Sequence, residues 1–296
     1  MNDISAAWSA WARELKQITP HEIEHRPSLQ NLTPQKLYEL NMHSVEWSEN
    51  ELRNVIRVEP FEHCGRCTAG YTVSRDEQGY EHSRPCEHCR APYLKARRIH
   101  QALLPPDAVL KVWSNYELSE HRESDRLLNA YWHRINEPFE RLKPLQGLLM
   151  CGSAGTGKSH YLYAVAHNLA WQGLRVRYAT HMGLLDAERA TWNDKHNNNS
   201  PLRDIVRDYD VLLIDEIGGT GGGSGTWSQW VQRATSELLD TVYRQWAAGR
   251  LRLVCASNLS PEKVQSLYNP ALQSRVQQML SPVIVDGVDR RQNSTM

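Results

Sequence analysis

A glycine-rich stretch runs from Gly152 to Ser159, and its pattern restricts the possible folds of this chain more than any other segment does. It fits every fixed position of the pattern GxxxxGK[ST], follows the apolar run Leu148-Leu149-Met150 and precedes a helix-compatible stretch from His160 to Trp171. In such a strand–loop–helix context, glycines let backbone N–H groups surround phosphate oxygens at the start of a helix. A glycine-rich turn that fits the pattern by chance is the alternative. The residues predicted to bind nucleotide are Gly152, Ser153, Ala154, Gly155, Thr156, Gly157, Lys158 and Ser159.

Apolar stretches of strand length alternate with helical stretches from about Gly147 onward. The predicted strands are Gly147 to Met150, Leu174 to Ala179, Val211 to Ile214, Leu251 to Ala256 and Pro282 to Val285. This alternation indicates βαβ units, in which helices cover a parallel sheet. The predicted fold class is therefore α/β, with a parallel sheet flanked by helices.

Two carboxylates, Asp215 and Glu216, follow the third predicted strand. Because ligands bind at the carboxyl ends of strands in open α/β sheets, we expect both side chains beside the phosphate loop. Lys158 is predicted to neutralise the β- and γ-phosphates, and Ser159 with Asp215 to hold Mg²⁺. Glu216 is predicted to orient the attacking water. A helix-capping turn is the alternative for this acidic pair.

The fourth predicted strand ends in Ser257 and Asn258, which brings an amide to the same edge of the sheet. We predict that Asn258 orients the attacking water, with a turn residue before Pro261 as the alternative. Together with the carboxylates, this residue predicts an ATPase that uses ATP, water and Mg²⁺.

Four of the six cysteines form two CxxC pairs separated by 18 residues. This spacing is that of a four-thiolate zinc site, whose closed tetrahedron serves a structural role. The predicted Zn²⁺ ligands are Cys64, Cys67, Cys86 and Cys89. Redox activity of the pairs is one alternative. The other is that one thiolate is replaced by a histidine, the candidates being His63, His82 and His88.

Lysine plus arginine and aspartate plus glutamate number 34 each, so the formal net charge is zero. Electrostatic attraction of the whole chain to nucleic acid or acidic membranes is thereby excluded, and such binding must come from local patches. The segment Met1 to Gln17 lacks a signal-peptide pattern. No apolar run approaches the ~18 residues that cross a bilayer. We expect a soluble, cytoplasmic protein that has no membrane partner.

Five short motifs follow one another in the second half of the chain. They are Gly-Thr-Gly-Lys-Ser-His at 155–160, Ile-Asp-Glu-Ile-Gly at 214–218, Ala-Ser-Asn at 256–258, Ser-Arg-Val at 274–276 and Asp-Gly-Val-Asp-Arg-Arg at 286–291. In order and spacing they resemble the AAA+ ATPases of the DnaC/DnaI helicase-loader and IstB group, and the resemblance covers about residue 102 to the C-terminus. It implies an AAA+ P-loop core that lacks a full C-terminal lid. A zinc module in front of such a core is similar to the DnaI-type arrangement.

The resemblance assigns further roles. Asn258 is the implied sensor-1 residue, and Arg275 is the implied arginine finger, which reaches the nucleotide of a neighbouring subunit. Arg291 is the implied sensor-2 arginine, with Arg290 as its alternative, and His160 joins the nucleotide-binding residues as the last position of the first motif. The alternatives without a catalytic role are a surface salt bridge for Arg275 and a solvated basic tail for Arg290 and Arg291.

The implied function is ATP-dependent loading of the hexameric replicative helicase in DNA replication. ATP binding and hydrolysis would switch assembly and release on single-stranded DNA, the ATP-bound chain would form homo-oligomers, and assembly or DNA would stimulate hydrolysis. An IstB-like ATPase that regulates DNA transposition is the alternative, since it shares the core motifs. A non-hydrolysing zinc adaptor is disfavoured by the intact Lys158, Asp215 and Glu216. A small-molecule kinase is disfavoured because the strand-end carboxylates and Ser-Asn fit hydrolysis better.

In the loader family, the segment between the second strand and the acidic strand contributes to single-stranded DNA binding, and here it runs from His181 to Asp208. Its residues suited to stacking and phosphate contacts are Arg189, Thr191, Trp192, Asn193 and Lys195. The alternative is an amphipathic helix that buries Leu184, Leu185 and Ala187. The glycine-rich loop at 218–225 with Trp227 and Trp230 is a second candidate contact, with a flexible linker as its alternative.

The composition changes near Pro105-Pro106, where we expect a domain boundary. The predicted domains are a helical and four-cysteine zinc-binding module for partner interaction at 1–100 and an AAA+ ATPase domain at 101–296. A basic run follows the second cysteine pair and could contact phosphates or an acidic partner, with a solvated face as the alternative. Its members are Arg90, Lys95, Arg97 and Arg98.

Overall fold

The structure is a computed structural model that describes residues 64–105, 108, 111–113, 116–119, 121–137, 144–191, 200–219, 228–287 and 289. Several predictions therefore lie outside the described residues. They concern the helical segment of the first 50 residues, His63, the loop residues Trp192, Asn193, Lys195 and Trp227, and the two arginines Arg290 and Arg291.

Within the described residues, five parallel strands form the central sheet. They are β3 (Gly147–Cys151), β4 (Val176–Thr180), β5 (Val211–Asp215), β6 (Arg252–Ser257) and β7 (Leu280–Ile284), numbered after two strands of a separate hairpin. Their order across the sheet is β4-β5-β6-β3-β7. Each predicted strand is found within two residues of its predicted bounds. Pro282 is accommodated in β7 because β7 is an edge strand, where a residue without an N–H does not interrupt a ladder.

Helices cover both faces of this sheet. They are α1 (Arg90–Gln101), α2 (Glu123–Ile135), α3 (Lys158–Trp171), α4 (His181–Ala190), α5 (Pro201–Asp208), α6 (Gln229–Ala247), α7 (Pro261–Ser266) and α8 (Pro270–Met279). Alternate strand residues enter two separate cores. Leu148 and Leu213 face the layer of α1 to α3, whereas Leu149 and Leu212 face the layer of α4 to α8. The predicted α/β fold, a parallel sheet flanked by helices, is thus confirmed.

A small two-stranded hairpin precedes the sheet domain. Its antiparallel strands are β1 (Tyr71–Arg75) and β2 (Glu81–Pro85), in which every residue except the partly buried Tyr71 is exposed. The helix α1 follows at once and is continuous across the predicted boundary at 100/101. Ile99 is buried in the core of the sheet domain, and the Tyr178 N–H of β4 donates to the Ala102 carbonyl at 3.0 Å. The division into 1–100 and 101–296 stays a prediction, with α1 connecting the two parts.

Of the helices in the described ranges, none combines the length and the apolar character that crossing a lipid bilayer requires.

Candidate functional site

The predicted phosphate loop connects β3 to α3, as its sequence context indicates. Lys158 is the first residue of α3 and is only 6% exposed. Its Nζ donates to the Gly152 carbonyl at 2.8 Å and to the Ser153 carbonyl at 2.6 Å. Thr156 Oγ1 donates to the Ser153 carbonyl at 3.1 Å. The lysine therefore holds the loop closed around its own ammonium group, at the place where the pattern predicts phosphate oxygens.

Two glycines of the loop are needed for its backbone path. Gly157, the residue before α3, has φ 98°, a left-handed conformation that costs little only without a side chain. Gly152 has φ 154°, and a Cβ there would lie 2.3 Å from the Val285 carbonyl oxygen. The segment that follows β7 thus passes directly along the phosphate loop, where Val285 N–H donates to the Cys151 carbonyl at 2.7 Å.

Asp215 and Glu216 lie at the carboxyl end of β5 and differ in environment. Asp215 is 5% exposed, and its Oδ1 accepts the Glu216 backbone N–H at 2.8 Å. Glu216 is exposed and has φ 56°, which is a strained conformation for a residue with a side chain. The turn thus buries the Asp215 carboxylate at the edge of the sheet, whereas the Glu216 carboxylate is accessible to a ligand. Such strain at a strand end is typical of functional sites.

A tyrosine pair contacts Asp215 from the neighbouring strand. The Tyr178 hydroxyl of β4 donates to Asp215 Oδ2 at 3.1 Å, and the Tyr163 hydroxyl of α3 lies 3.3 Å from the Tyr178 hydroxyl. Burial, and then the adjacent Asp215 carboxylate, raises the pKa of Tyr178 well above its usual range. Neither tyrosine was among the predicted site residues. The signal that points to Tyr178 is its place near the carboxyl end of a strand parallel to β5.

Ser257 and Asn258 end β6 at the same edge of the sheet. The Ser257 hydroxyl donates to the Ile217 carbonyl at 2.6 Å, and the Ile217 N–H donates to the Ala256 carbonyl at 2.8 Å, so the turn after Glu216 is fixed to β6. The Gly152 N–H donates to the Ser257 carbonyl at 3.2 Å. Asn258 itself is exposed. The ends of β3, β5 and β6 therefore lie together at one edge of the sheet, and Ser257 connects them through its hydroxyl and its carbonyl.

Two other groups lie near the loop. A Cβ on Gly155 would come within 2.0 Å of Asp289 Oδ1, so this carboxylate rests against the loop. His160 lies in the first turn of α3, where its Nε2 is 3.2 Å from the Val112 carbonyl oxygen and its ring meets that of Tyr116 edge-on. His160 therefore contacts the segment before α2 in this structure. Asp289 was not among the predicted site residues.

Arg275 lies on α8 and interacts with α6 of the same chain. Its Nη1 forms an ion pair with Asp240 Oδ1, and its guanidinium lies 5.6 Å from the ring centroid of Tyr243. The side chain is 41% exposed. The surface salt bridge considered as the alternative for Arg275 is therefore present, and much of the Arg275 side chain remains accessible. The role of Arg291 stays a prediction, because that residue lies outside the described ranges.

The four predicted zinc ligands lie together at the base of the hairpin. All four Sγ atoms are within 4.8 Å of one another. The Sγ atom of Cys64 lies 3.8 Å from the Sγ atom of Cys67 and 3.7 Å from that of Cys86. The Sγ atoms of Cys67 and Cys89 are 3.5 Å apart. A tetrahedron with Zn–S bonds of ~2.3 Å has edges of ~3.8 Å. The sulfur geometry therefore fits Zn²⁺ and joins the two CxxC pairs in one cluster.

The predicted DNA-contacting segment forms α4 and α5, whose connecting residues 192–199 lie outside the described ranges. Leu184 and Leu185 are buried, as the amphipathic-helix alternative expects, whereas Ala187 is exposed. Arg189 is exposed at the end of α4, and its guanidinium lies 5.6 Å from the ring centroid of Trp230. The two candidate contacts, Arg189 and Trp230, therefore lie next to each other on one surface.

Of the basic run after the cysteines, Arg90 packs 4.8 Å from the ring centroid of Tyr71 in the hairpin, whereas Arg97 is exposed. Arg90 thus helps to join the hairpin to α1. The side chain of Lys95 lies outside the described part of α1.

Residues 124–282 match the sequence family described as the bacterial DnaA ATPase domain, and this range is more than half of the chain. The chain belongs to this family. The match covers the phosphate loop, the carboxylates of β5 and Arg275. The AAA+ resemblance drawn from the motifs is confirmed for the fold and the ATPase family.

Two curated relatives extend this result. The chain is 30% identical over 128 residues to the chromosomal replication initiator protein DnaA 2 of Protochlamydia amoebophila (strain UWE25), across 43% of this chain and 26% of that protein. It is 29% identical over 110 residues to the replicative helicase loader DnaC of Buchnera aphidicola subsp. Baizongia pistaciae (strain Bp), across 36% of this chain and 42% of that protein. The chain thus spans less than half the length of each.

Among solved structures, the crystal structure of DnaI superimposes with a TM-score of 0.52 at 17% identity, covering 66% of this chain and 100% of that one. This similarity concerns the fold, in agreement with the parallel sheet and the two helical layers.

Proposed function

We propose that this member of the DnaA ATPase-domain family is an ATP-dependent helicase loader of DNA replication. The observation that carries the proposal is the meeting of the phosphate loop, Asp215 and Glu216 at one sheet edge, in a chain that also carries a four-cysteine module. The similarity to a DnaC described as a replicative helicase loader and the DnaI-like fold support the choice of this function.

Three side chains at this edge of the sheet would support the hydrolysis of ATP. ATP binding would move the Lys158 ammonium from the carbonyls of Gly152 and Ser153 to phosphate oxygens, where its charge is better neutralised. The exposed Glu216 would orient water for attack on the γ-phosphate. Asn258, at the end of the adjacent strand, would hold the same water from a second side.

The donor set at this edge suits Mg²⁺, which prefers carboxylate and hydroxyl oxygens. Ser159 and Asp215 would hold the ion, which when bound neutralises charge on the phosphate oxygens. Each Asp215 oxygen already accepts one hydrogen bond, and a carboxylate has about four lone-pair positions, so both oxygens retain acceptor capacity.

The zinc module would serve as the partner-binding part of the chain. Four clustered thiolates leave no open coordination position, so Zn²⁺ bound by them stabilises local structure rather than catalysing a reaction. The hairpin between the two pairs is too small and too exposed to bury a core of its own. Its stabilised, exposed surface, together with the residues before it, would bind the hexameric replicative helicase.

The ATP state would control assembly through Arg275. An arginine supplied by a neighbouring subunit stabilises transition-state charge, so hydrolysis would be slow in the monomer and stimulated in a homo-oligomer. Single-stranded DNA would bind beside Arg189 and Trp230, where a cation and an aromatic ring lie together and can contact phosphate and base.

The deciding experiment captures partners from the host with the full-length protein in ATP and Mg²⁺, and measures ATPase activity with single-stranded and duplex DNA. The matched variants are Lys158→Ala, which should abolish nucleotide binding, and Glu216→Gln, which should keep binding and lose turnover. Recovery of a hexameric helicase and stimulation by single-stranded DNA support the proposal. Recovery of a transposase together with stimulation by duplex DNA would instead identify an IstB-like ATPase of DNA transposition.

A further inference from the structure

We infer that the hydroxyl groups of Tyr163 and Tyr178 form a hydrogen-bond relay that orients Asp215 for Mg²⁺ and couples it to the helix after the phosphate loop. The two tyrosines are therefore positioning residues that act through Asp215. This inference rests on the proposed ATPase function, in which Asp215 holds the metal ion. It adds to that function two residues that none of the short motifs contains.

The direction of the relay follows from its donors and acceptors. An ionised carboxylate only accepts hydrogen bonds, so the single proton of the Tyr178 hydroxyl goes to Asp215 Oδ2, 3.1 Å away. The Tyr163 hydroxyl, 3.3 Å from the Tyr178 oxygen, must then be the donor to Tyr178. The relay thus runs from α3 through β4 to the end of β5. Each bond polarises the next one, which strengthens the bond to Asp215.

All three residues of the relay are buried, so the hydrogen bonds between them are important for Asp215. Tyr163, Tyr178 and Asp215 are 5%, 8% and 5% exposed, so water has little access to replace a missing hydroxyl. A buried carboxylate oxygen that loses its donor is left without compensation for its desolvation. In this arrangement the Tyr178 hydroxyl is the donor to Asp215 Oδ2. The Lys111 ammonium, 5.3 Å from the ring centroid of Tyr163, favours donation by that phenol too.

The relay fixes one oxygen of Asp215 while the backbone fixes the other. Oδ1 accepts the Glu216 N–H at 2.8 Å, so the two donors approach the carboxylate from different elements and define its rotation. Tyr163 lies on α3, the helix that begins with Lys158 and Ser159. The helix that carries Lys158 and Ser159 is thereby connected to Asp215 through side chains as well as through the sheet.

The two rings also pack against each other, with centroids 5.1 Å apart at an interplanar angle of 60°. A phenylalanine retains this packing and removes only the hydroxyl. Tyr178→Phe and Tyr163→Phe therefore separate the relay from the packing. Tyr161→Phe is the matched control, since Tyr161 is buried on the same helix but donates to the Leu128 carbonyl at 2.9 Å, away from Asp215.

The test measures binding of the fluorescent analogue mant-ATP to the full-length protein by anisotropy, first in EDTA and then during a Mg²⁺ titration. Tyr178→Phe should raise the Mg²⁺ concentration for the half-maximal response about three- to tenfold, as expected for one lost buried hydrogen bond. Its affinity in EDTA should stay within about twofold of wild type, since no hydroxyl of the relay contacts phosphate. Tyr163→Phe should give a smaller shift in the same direction, and Tyr161→Phe should overlay the wild type.

Two results would overturn the inference. One is a Mg²⁺ titration of Tyr178→Phe that overlays the wild type. The other is an equal loss of mant-ATP affinity with and without Mg²⁺, which would show general damage to the site. Failure of the proposed function is distinguishable, because the wild-type protein would then show no Mg²⁺-dependent nucleotide binding or turnover, and the inference would fall with it.

Discussion

Arg275 on α8 and Asp240 on α6 form an ion pair within one subunit, and the guanidinium also lies 5.6 Å from the ring centroid of Tyr243. The Tyr243 hydroxyl donates in turn to Gln278 Oε1 at 2.9 Å, so α6 contacts α8 at two neighbouring positions. The arginine proposed to act on a neighbour's nucleotide is therefore held in a defined direction before assembly. Since half-exposed ion pairs contribute little to folding stability, orientation is the larger consequence of this one.

Asp240→Asn should weaken this orientation and reduce assembly-stimulated ATP turnover by about two- to fivefold, in line with the ~0–1 kcal/mol of an exposed pair. Arg275→Ala should remove the stimulation, a loss well above tenfold if the arginine acts on the transition state. The measurement is turnover as a function of protein concentration. Glu237→Gln is the control. Glu237 lies on α6, like Asp240, but forms its exposed ion pair with Arg203 of α5. An unchanged concentration dependence in Arg275→Ala would show that this arginine has no role in the neighbouring site.

Asp289→Asn should tighten nucleotide binding about two- to fivefold at low salt. The Asp289 carboxylate rests against Gly155, so it opposes triphosphate charge at the loop, and neutralising it removes that repulsion. The gain should shrink in 0.5 M salt, because Asp289 is only partly buried and salt screens interactions between solvent-accessible charges. Asp286→Asn is the control, since Asp286 is exposed and its contact with Arg122 Nη1, at 3.0 Å, is made by the backbone carbonyl, which the substitution retains. A gain of equal size in both variants would refute a specific effect of Asp289.

The purified protein should contain one Zn²⁺ per chain, and Cys86→Ser should lose it, since Cys86 is a buried member of the four-sulfur cluster. Chelation should unfold the hairpin region and leave mant-ATP binding largely intact, because metal binding and local folding are linked. Metal analysis and circular dichroism provide the measurements. His88→Ala is the control for a histidine ligand, as His88 is exposed between the paired cysteines. Zinc loss in His88→Ala would assign a ligand role to that histidine.

Two buried histidines predict how stability depends on pH. His167 Nε2 lies 3.0 Å from the Ala108 carbonyl and His181 Nε2 lies 3.0 Å from Thr235 Oγ1, and burial lowers the pKa of each to about 4. An unfolded histidine titrates near ~6.5, so the unfolded chain takes up protons first as the pH falls. The contribution of these two neutral histidines to the free energy of unfolding should be retained above pH ~6.5 and lost progressively toward pH 4.

Each histidine should contribute up to ~1.4 kcal/mol per pH unit within that window. His167→Asn should therefore reduce the slope of unfolding free energy against pH between 6.5 and 4, as measured by urea denaturation at several pH values. The difference between wild type and variant removes the contribution of the carboxylates that titrate in the same range. Parallel slopes for the two proteins would contradict the proposed burial of neutral His167.

Features that depend on short-range patterns could be predicted from the amino-acid sequence. The phosphate loop requires glycine conformations and a lysine within eight consecutive residues, so its chemistry is written locally from Gly152 to Ser159. The strands were predictable because buried parallel strands are continuous apolar runs, and Asp215 because it ends one of them. The CxxC pairs were predictable as a cluster because one tetrahedral metal ion best accounts for two matched pairs.

Contacts between side chains of different elements depend on how the helices and strands pack. Tyr178 reaches Asp215 because β4 and β5 pair in one register, with Tyr178 beside Leu213 and Thr180 beside Asp215. A slip of one residue would turn Tyr178 to the opposite face of the sheet. Arg275 meets Asp240 through the packing of two helices, and Asp289 reaches Gly155 through the path of the chain after β7. Such contacts join residues that are 35 to 134 positions apart, and no local spacing in the sequence encodes them.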